Sequence, residues 1–299
     1  DKCVKIIPSE DISRKEETVT IENDYVEVRI KPKEMISSFK DKFSGIDIQM
    51  PTNFYTYPGT SGSTLSGLYV FNPTREATKH EVESKSRFLQ KGSLLTLLHS
   101  YYRFSGTRVN IGQSITINTC SNKHLQRSVR VTTKIHSVEY NEFTLRTDIS
   151  DLFSENSTEI YVDNSVESAL KQFYTFDEAI TANITMNSNM TYIGVNGYAS
   201  IHGSAFRAKR SADSQSGDED VFFGFANSNS ILLNALRKNQ YEIMLMRNTN
   251  YYDDKGITDA LRDNNIETFD QILFVSSGVQ EFLQRKSVLS PVLNEKLQI

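Results

Sequence analysis

The sequence is poor in features that define several classes of protein. It has two cysteines, Cys3 and Cys120, and five histidines scattered along the chain, so it contains no metal-ligand spacing. The two cysteines could form one disulfide, and two buried thiols fit the sequence equally well. No apolar run approaches the ~20 residues that a membrane-spanning helix needs. The net charge of −4 comes from interspersed residues of both signs, which argues against a nucleic-acid-binding surface.

Motifs of familiar enzyme classes are also missing. The chain has no Gly-x-Ser-x-Gly, no Cys/His arrangement for nucleophilic catalysis and no dinucleotide-binding fingerprint. Retaining glycoside hydrolysis needs two carboxyl groups ~5–5.5 Å apart. The acidic clusters at residues 218–220 and 253–254 lie in polar segments, and their spacing does not specify such a pair. The residues alone therefore do not indicate that this chain is an enzyme.

Strand patterns dominate what is present, and helical patterns are scarce. Residues 17–31 alternate as a hairpin that turns at Asn23 and Asp24, and residues 36–48 form a second hairpin signal with its turn at 41–45. The same alternation predicts a mainly β protein built on an antiparallel β-sandwich. Further strands are predicted at 94–149, 241–247 and 269–275, with a short helix at 279–288.

Basic residues alternate with apolar ones in two of these strands. Arg130 and Lys134 alternate with valine and isoleucine in one strand, and Arg146 alternates with leucine and isoleucine in another. This pattern is typical of a strand with one buried and one solvent-facing side. We predict that these three side chains lie on a solvated sheet face.

We expect the chain to consist of a short leading segment and one large domain. We expect residues 1–16 to be the end of a preceding small domain or a linker, and residues 17–299 to form the sandwich. The segment 207–220 is polar and lacks aromatic residues, which predicts an exposed, mobile loop. Its basic cluster, residues 207–210, is either a solvated charge run or a processing site. Because the chain starts at Asp1 rather than Met, we expect it to be a piece of a longer protein.

Four stretches carry motifs that resemble, in the same order, those of class II α-mannosidases of glycoside hydrolase family 38. The first is the pair of hairpins, similar to the opening of that family's large sandwich domain. The second, at residues 55–74, keeps a Ser-Gly-x-Tyr-x-Phe-x-Pro pattern, and the third, at 170–198, keeps a Tyr and an Asn-Gly pair. The matching residues are Glu22, Asn23, Tyr25, Asp41, Lys42, Ser44, Gly45, Ser66, Gly67, Tyr69, Phe71, Pro73, Tyr192, Asn196 and Gly197.

The fourth stretch, residues 241–261, resembles a strand and loop of the family that reads roughly M-x-R-R-L-x-x-D-D-x-R-G. Arg247 falls within the Arg-Arg pair, and Lys255 stands where the family has the loop arginine. Gly194 in the third stretch replaces a family aspartate, and the family's G-N-Y-Y-P motif is not recognisable. These departures weaken the resemblance at the sugar site more than at the fold.

The resemblance implies a galactose-mutarotase-like supersandwich with few short helices. It implies that Tyr192 contacts the bound sugar, and that Lys255 donates hydrogen bonds to a hydroxyl of the neighbouring sugar. Asn196, Asp254 and Arg247 are the other candidate substrate-binding residues. It also implies zinc in an N-terminal catalytic domain that nothing in this chain resembles, so we expect no catalytic or metal-binding residues here.

Three hypotheses for function follow. The chain is the non-catalytic C-terminal sandwich of an enzyme that cleaves α-mannosidic bonds in glycans, with the N-terminal catalytic domain of the same protein as its partner. Alternatively, it is a carbohydrate- or protein-binding sandwich module without hydrolysis, which the changes at Gly194 and Lys255 favour. A third reading is a sandwich domain from another glycosidase or lyase family, which the hairpin motif alone would match.

Three Asn-x-Ser/Thr triplets bear on the compartment of the protein. They begin at Asn156, Asn183 and Asn189. Such triplets mark acceptors for N-glycosylation in secreted proteins, although they also arise by chance in an Asn-rich chain. Together they predict a lumenal location, in the lysosome, the Golgi or another secretory compartment, or an extracellular one.

Overall fold

The protein is mainly β, with antiparallel sheets and few helices. In the computed structural model, the described residues are 9–14, 17–58, 77–119, 122–149, 159–163, 168–172, 201–208, 221–237, 240–249 and 265–294. Every strand pairing among these residues is antiparallel, as the alternating sequence pattern predicted.

The strands are numbered in chain order. The first nine are β1 (Glu10–Asp11), β2 (Val19–Glu22), β3 (Val26–Ile30), β4 (Ser38–Asp41), β5 (Ile46–Gln49), β6 (Thr52–Pro58), β7 (Thr78–His80), β8 (Val82–Lys91) and β9 (Leu95–Phe104). The next nine are β10 (Asn110–Asn118), β11 (Ser128–His136), β12 (Asn141–Asp148), β13 (Glu159–Asp163), β14 (Ser168–Gln172), β15 (Ile201–Ala208), β16 (Val221–Arg237), β17 (Gln240–Arg247) and β18 (Glu267–Ser277). Two helices lie in the described part of the chain, α1 (Lys123–Gln126) and α2 (Gly278–Asn294).

The strands form one large sheet and one small sheet. The large sheet runs β1-β8-β9-β10-β11-β18-β16-β17-β12-β6-β7, and β15, β13 and β14 branch from it at β16. The first half of β16 pairs with β18 and its second half pairs with β17. This 17-residue strand therefore joins the part of the large sheet that ends at β18 to strands β17, β12 and β6. The small sheet is β2-β3-β4-β5.

The small sheet contains both hairpins that the sequence predicted. Tyr25 and Val26 donate their backbone N–H groups to the Asn23 side chain, at 2.8 and 2.7 Å, which closes the first turn. In the second turn Gly45 has a φ of +74°, a conformation that glycine adopts without the clash a β carbon brings. Both turns are thus built by the residues that signalled them.

The main core lies between the two sheets. Val26, Val28 and Ile30 alternate as buried residues along β3. Phe39 of the small sheet meets Phe223 of the large sheet, with ring centroids 6.3 Å apart. The period-two pattern marks the face that each sheet buries against the other.

Helix α2 covers the opposite face of the large sheet, at β16 and β18. Phe282 stacks on Phe222 and Phe274 at centroid distances of 5.4 and 5.8 Å. The sequence predicted a helix at 279–288, but α2 continues to Asn294 because Leu289 and Leu293 are buried in the same cluster.

The predicted domain boundaries remain predictions. Glu10 and Asp11, in the predicted leading segment, pair with β8 at one edge of the large sheet. Arg207 and Ala208, at the start of the predicted mobile loop, end strand β15, and residues 209–220 lie outside the described residues.

Candidate functional site

Three neighbouring strands, β6, β12 and β17, bring buried polar side chains together. Glu142 of β12 is paired in register with Tyr57 of β6 on one side and with Arg247 of β17 on the other. One face of β12 carries Phe143 and Leu145 into the main core. The other face carries the charged residues, and it is also buried at Glu142.

Glu242 is the centre of this polar face. Its side chain is fully buried. One carboxylate oxygen accepts a hydrogen bond from the Tyr57 hydroxyl at 2.9 Å. The other accepts from the Thr144 hydroxyl at 3.1 Å and from Nε of Arg146. A buried carboxylate requires this kind of charged and hydrogen-bonded partnership.

Arg146 contacts both Glu242 and Tyr57, in addition to the hydrogen bond between those two residues. Its Nη2 donates to the Tyr57 hydroxyl at 2.8 Å, and its guanidinium lies 4.2 Å from the ring centroid of Tyr55. The guanidinium is therefore held by a carboxylate, a phenol and an aromatic face at once.

The surroundings shift the pKa values of Tyr57 and Arg146. Burial, followed by the nearby charge of Glu242, raises the pKa of Tyr57, so its hydroxyl remains a donor. Burial by itself lowers the pKa of Arg146, but Glu242 and Tyr57 outweigh it and the net shift is upward. Arg146 therefore stays cationic, which matches its position beside the buried carboxylate.

A second ion pair, between Glu142 and Arg247, lies at the end of the same strands. Arg247 donates from Nε at 2.7 Å and from Nη2 at 2.6 Å to one oxygen of Glu142. The Glu142 side chain is fully buried. Arg247 was a candidate substrate-binding residue; its guanidinium binds Glu142, and a contact with substrate stays a prediction.

The prediction of a solvated basic face was wrong for Arg146. Its side chain is 17% exposed and pairs with a carboxylate from a strand that lies 96 positions away in the chain. The sequence analysis also did not single out Glu142, Glu242 or Tyr57. A signal was present, since Glu242 is a lone charge inside the apolar run of β17, where an unpaired carboxylate would be very costly.

The other candidate site residues lie outside the described residues. These are Tyr192, Asn196, Asp254, Lys255, the sequons at Asn156, Asn183 and Asn189, and the two cysteines, Cys3 and Cys120. In the sequence, residues 250–264 follow the end of β17 and residues 59–76 follow the end of β6. Pro58 and Arg247, where these strands end, both neighbour the start of β12.

The residues of the hairpin motif that resembles the mannosidase family form hydrogen bonds and an ion pair within this chain. Lys42 forms an ion pair with Glu22 and donates to the Asn23 carbonyl at 2.9 Å. The Asn23 amide donates to the carbonyls of Asn118, at 2.6 Å, and Gln126, at 2.8 Å. These contacts fasten the small sheet to β10 and α1, so this motif serves the fold.

The buried Asp41 of the same motif belongs to a second polar link. Arg127 donates to Asp41 at 2.8 Å and to Glu281 of α2 at 2.7 Å. Arg285 of α2 in turn donates to the Arg127 carbonyl at 2.7 Å. These side chains tie the small sheet and α2 to the end of α1, where Arg127 lies.

The polar face is suited to holding strands β6, β12 and β17 together rather than to acid–base chemistry. Each buried carboxylate, Glu142 and Glu242, is paired with its own arginine. The zinc that the family resemblance implies is expected in a preceding domain and not in this chain. Within the described ranges no group of three or more His, Cys, Asp or Glu side chains is arranged to hold a metal ion.

Neither helix in the described part of the chain is long and apolar enough to cross a membrane.

In sequence comparisons, no protein-family model and no curated protein matches this chain. Comparisons of structure do find matches. A glycosyl hydrolase family 38 protein from Enterococcus faecalis matches with a TM-score of 0.63 and 11% identity, over 92% of this chain and 32% of that one. An α-mannosidase from Enterococcus faecalis V583 matches with a TM-score of 0.63 and 12% identity, over 92% of this chain and 31% of that one.

A galactose mutarotase-like protein from Clostridium acetobutylicum also matches, with a TM-score of 0.40 and 9% identity, over 91% of this chain and 99% of that one. The chain spans about a third of the length of the two family 38 structures. The likeness to them is one of fold: a mainly β region that forms part of a longer glycoside hydrolase chain.

Proposed function

We propose that this chain is the non-catalytic β-sandwich part of a larger α-mannosidase-like glycoside hydrolase that cleaves α-mannosidic bonds in glycans. The match of 92% of the chain to one part of two family 38 structures is the observation that carries this proposal. The order of the four sequence motifs supports it independently of the fold.

The polar face gives this part of the enzyme a physical role. The ion pair of Arg247 with Glu142 and the pair of Arg146 with Glu242 hold the ends of β17, β12 and β6 in fixed register. The segment that carries Asp254 and Lys255 follows β17 directly in the sequence. A loop that contacts substrate needs a rigid base, because small displacements of a binding group reduce binding and rate strongly.

In this proposal the substrate-contacting groups come from the loops. Tyr192 and Asn196 contact the bound sugar, and Lys255 donates to a hydroxyl of the neighbouring sugar with Asp254 beside it. Lysine lacks the guanidinium with which the arginine of the family pattern can donate two parallel hydrogen bonds. We therefore expect weaker binding of the neighbouring sugar or a different linkage preference. The catalytic carboxylates and zinc belong to a preceding domain of the same protein.

The direct test uses the natural protein, including whatever precedes Asp1. α-Mannoside hydrolysis and zinc content are measured on the same sample, for the native protein and for Tyr192→Phe and Lys255→Ala. Lys33→Ala, at an exposed lysine in the turn between β3 and β4, is the matched control. Turnover with about one zinc per chain, reduced by both loop variants and unchanged by the control, is the expected result.

The alternative is a binding module without hydrolysis, and the replacements at Gly194 and Lys255 favour it. Zinc-free, inactive natural protein that still binds mannosides or glycoproteins would replace the enzyme proposal with this one. α-Mannoside hydrolysis that neither Tyr192→Phe nor Lys255→Ala changes would instead show that these loops do not contact the substrate.

A further inference from the structure

The outer face of strands β9, β10 and β11 presents an aromatic ring to solvent. Tyr101 of β9 is 58% exposed, and its register partner on β10 is Gly112. A β carbon at Gly112 would lie 3.5 and 3.6 Å from Cε1 and Cδ1 of Tyr101. One edge of the ring therefore lies over the glycine, and the rest of the ring is open to a ligand.

Two cations flank this ring. Arg103 follows Tyr101 by two residues on β9 and so projects from the same face. Lys134 of β11 lies opposite Gly112, in the same cross-strand row as Tyr101. Both side chains are exposed, and neither forms an ion pair in the part of the chain that the structure describes.

The adjacent row offers hydrogen-bonding groups about 7 Å along the strands. His99 Nδ1 lies 2.8 Å from the Ser114 hydroxyl, and the Thr132 hydroxyl donates to Asp270. Burial, and then the charge of Lys134, lowers the pKa of His99, so its ring is neutral at pH 7. This row can donate to and accept from the hydroxyl groups of a bound sugar.

We propose that this surface, formed by Tyr101, Arg103, Lys134 and His99, binds an acidic saccharide. The sugar ring stacks on Tyr101, and its carboxylate, sulfate or phosphate group lies against Arg103 and Lys134. The binding surface is separate from the β6–β12–β17 polar face, since β18 and β16 lie between them in the sheet order. The inference does not rest on the proposed hydrolase function.

A single-stranded nucleic acid would also use an aromatic ring and basic residues. Nucleic-acid-binding sheets stack successive bases on two or three aromatic side chains. Here one exposed aromatic ring stands in the row, which provides a single stacking position.

The absence of tryptophan from the chain permits a specific test. In Tyr101→Trp the new ring is the single tryptophan, so its fluorescence reports directly on ligand stacking. Titration uses a heparin-derived tetrasaccharide, neutral mannotetraose and a short oligothymidylate. Phe43→Trp is the matched control, because Phe43 is 59% exposed and also lies beside cations, Lys123 and Arg127.

The expected result is a saturable fluorescence change in Tyr101→Trp with the acidic tetrasaccharide, and none in Phe43→Trp. In calorimetry with the otherwise native chain, Tyr101→Ala should weaken binding by about three- to tenfold. Lys134→Ala and Arg103→Ala should each weaken it by about two- to fivefold and reduce its salt dependence.

Three results would overturn the inference: no saturable change with the acidic tetrasaccharide, equal responses in Phe43→Trp, or binding of the oligothymidylate as tight as that of the sugar. If mannotetraose binds tightly and Lys134→Ala does not change that binding, the surface binds neutral sugars and does not require an acidic group on the ligand. Each of these results leaves α-mannoside hydrolysis untouched, so the two proposals fail separately.

Discussion

Glu242 and Arg146 form a buried ion pair between neighbouring strands β17 and β12, and the Tyr57 hydroxyl bonds to both of them. Because Glu242 is fully buried, removal of its cationic partner leaves a desolvated negative charge without compensation.

Arg146→Met should therefore lower the free energy of unfolding by about 3–5 kcal/mol, measured by urea denaturation. Glu83→Ala, a change at an exposed glutamate of β8, is the control and should stay within about 0.5 kcal/mol. The double variant Arg146→Met/Glu242→Gln should be more stable than Arg146→Met. If it is not, the pair does not carry the coupling that we assign to it.

We expect the contribution of Arg247 to the stability of the protein to depend on its two-nitrogen contact with Glu142 and not on its positive charge alone. Arg247→Lys keeps the cation but loses the two-nitrogen contact with the carboxylate, so we expect a loss of about 1–2 kcal/mol. Arg247→Gln should cost more, about 3 kcal/mol, because Glu142 stays buried. Hydrogen exchange should quicken at the C-terminal end of β17 first. Arg29→Gln, at a partly exposed pair, is the comparison, and equal losses at both sites would contradict the assignment.

Gly224 is required by the packing of α2 on the sheet. A β carbon there would lie 2.8 Å from Cζ of Phe274 and 2.9 Å from Cε2 of Phe282. Gly224→Ala should destabilise the protein by about 1–3 kcal/mol in urea denaturation, and Phe282→Leu should recover part of the loss. Gly112→Ala, where the added carbon meets only ordinary contacts, should be nearly neutral; if both changes cost the same, overpacking is not the cause.

Stability should fall at alkaline pH through two buried tyrosines. Burial, and then Glu242, raises the pKa of Tyr57, and burial raises the pKa of Tyr241 to about 12. The unfolded tyrosines lose their protons near pH 10 while the folded ones keep theirs. Their contribution is therefore complete below about pH 10 and falls by about 1.4 kcal/mol per pH unit for each group above it.

Urea unfolding at pH values from about 8 to 11 measures this slope. Tyr57→Phe should be less stable than the native protein at pH 8, since it loses hydrogen bonds, and should lose less stability as the pH rises. Tyr241→Phe should likewise reduce the slope. An unchanged slope in Tyr57→Phe would show that its phenol does not keep its proton on folding.

N-glycosylation tests the predicted compartment. In a secretory host, Asn156, Asn183 and Asn189 should carry glycans, and endoglycosidase treatment should lower the mass of the protein. Each Asn→Gln change should remove one glycan from the mass spectrum, and Asn110→Gln, at an exposed asparagine outside any acceptor triplet, should remove none. Occupancy at none of the three sites would remove the support that they give to a lumenal location.

Local patterns predicted the hairpins of the small sheet. The turn at Asn23 and Asp24, the turn at residues 41–45 and the alternation of Val26, Val28 and Ile30 are all encoded within a few residues, and the structure contains them as predicted. The end of helix α2 was not predicted, because Leu289 and Leu293 are buried by a sheet whose strands lie elsewhere in the sequence.

The polar face shows the complementary case. Arg130, Lys134 and Arg146 alternate with apolar residues in the same way, yet Arg130 and Arg146 are partly buried in ion pairs with Asp270 and Glu242, while Lys134 is exposed. Strand alternation predicts which residues share a face of the sheet, but it does not predict what covers that face.

The sequence by itself thus determined the mainly β class, both hairpins of the small sheet and several further strands, because these depend on side-chain size, alternation and backbone preference over short distances. Only the tertiary structure decided the partners of Glu142, Glu242 and Tyr101. Those partners come from strands β6, β12, β17, β10 and β11, which the order of the sheet places side by side. The free energy of a buried charge or an exposed ring depends on such neighbours, and neighbours are a property of the fold.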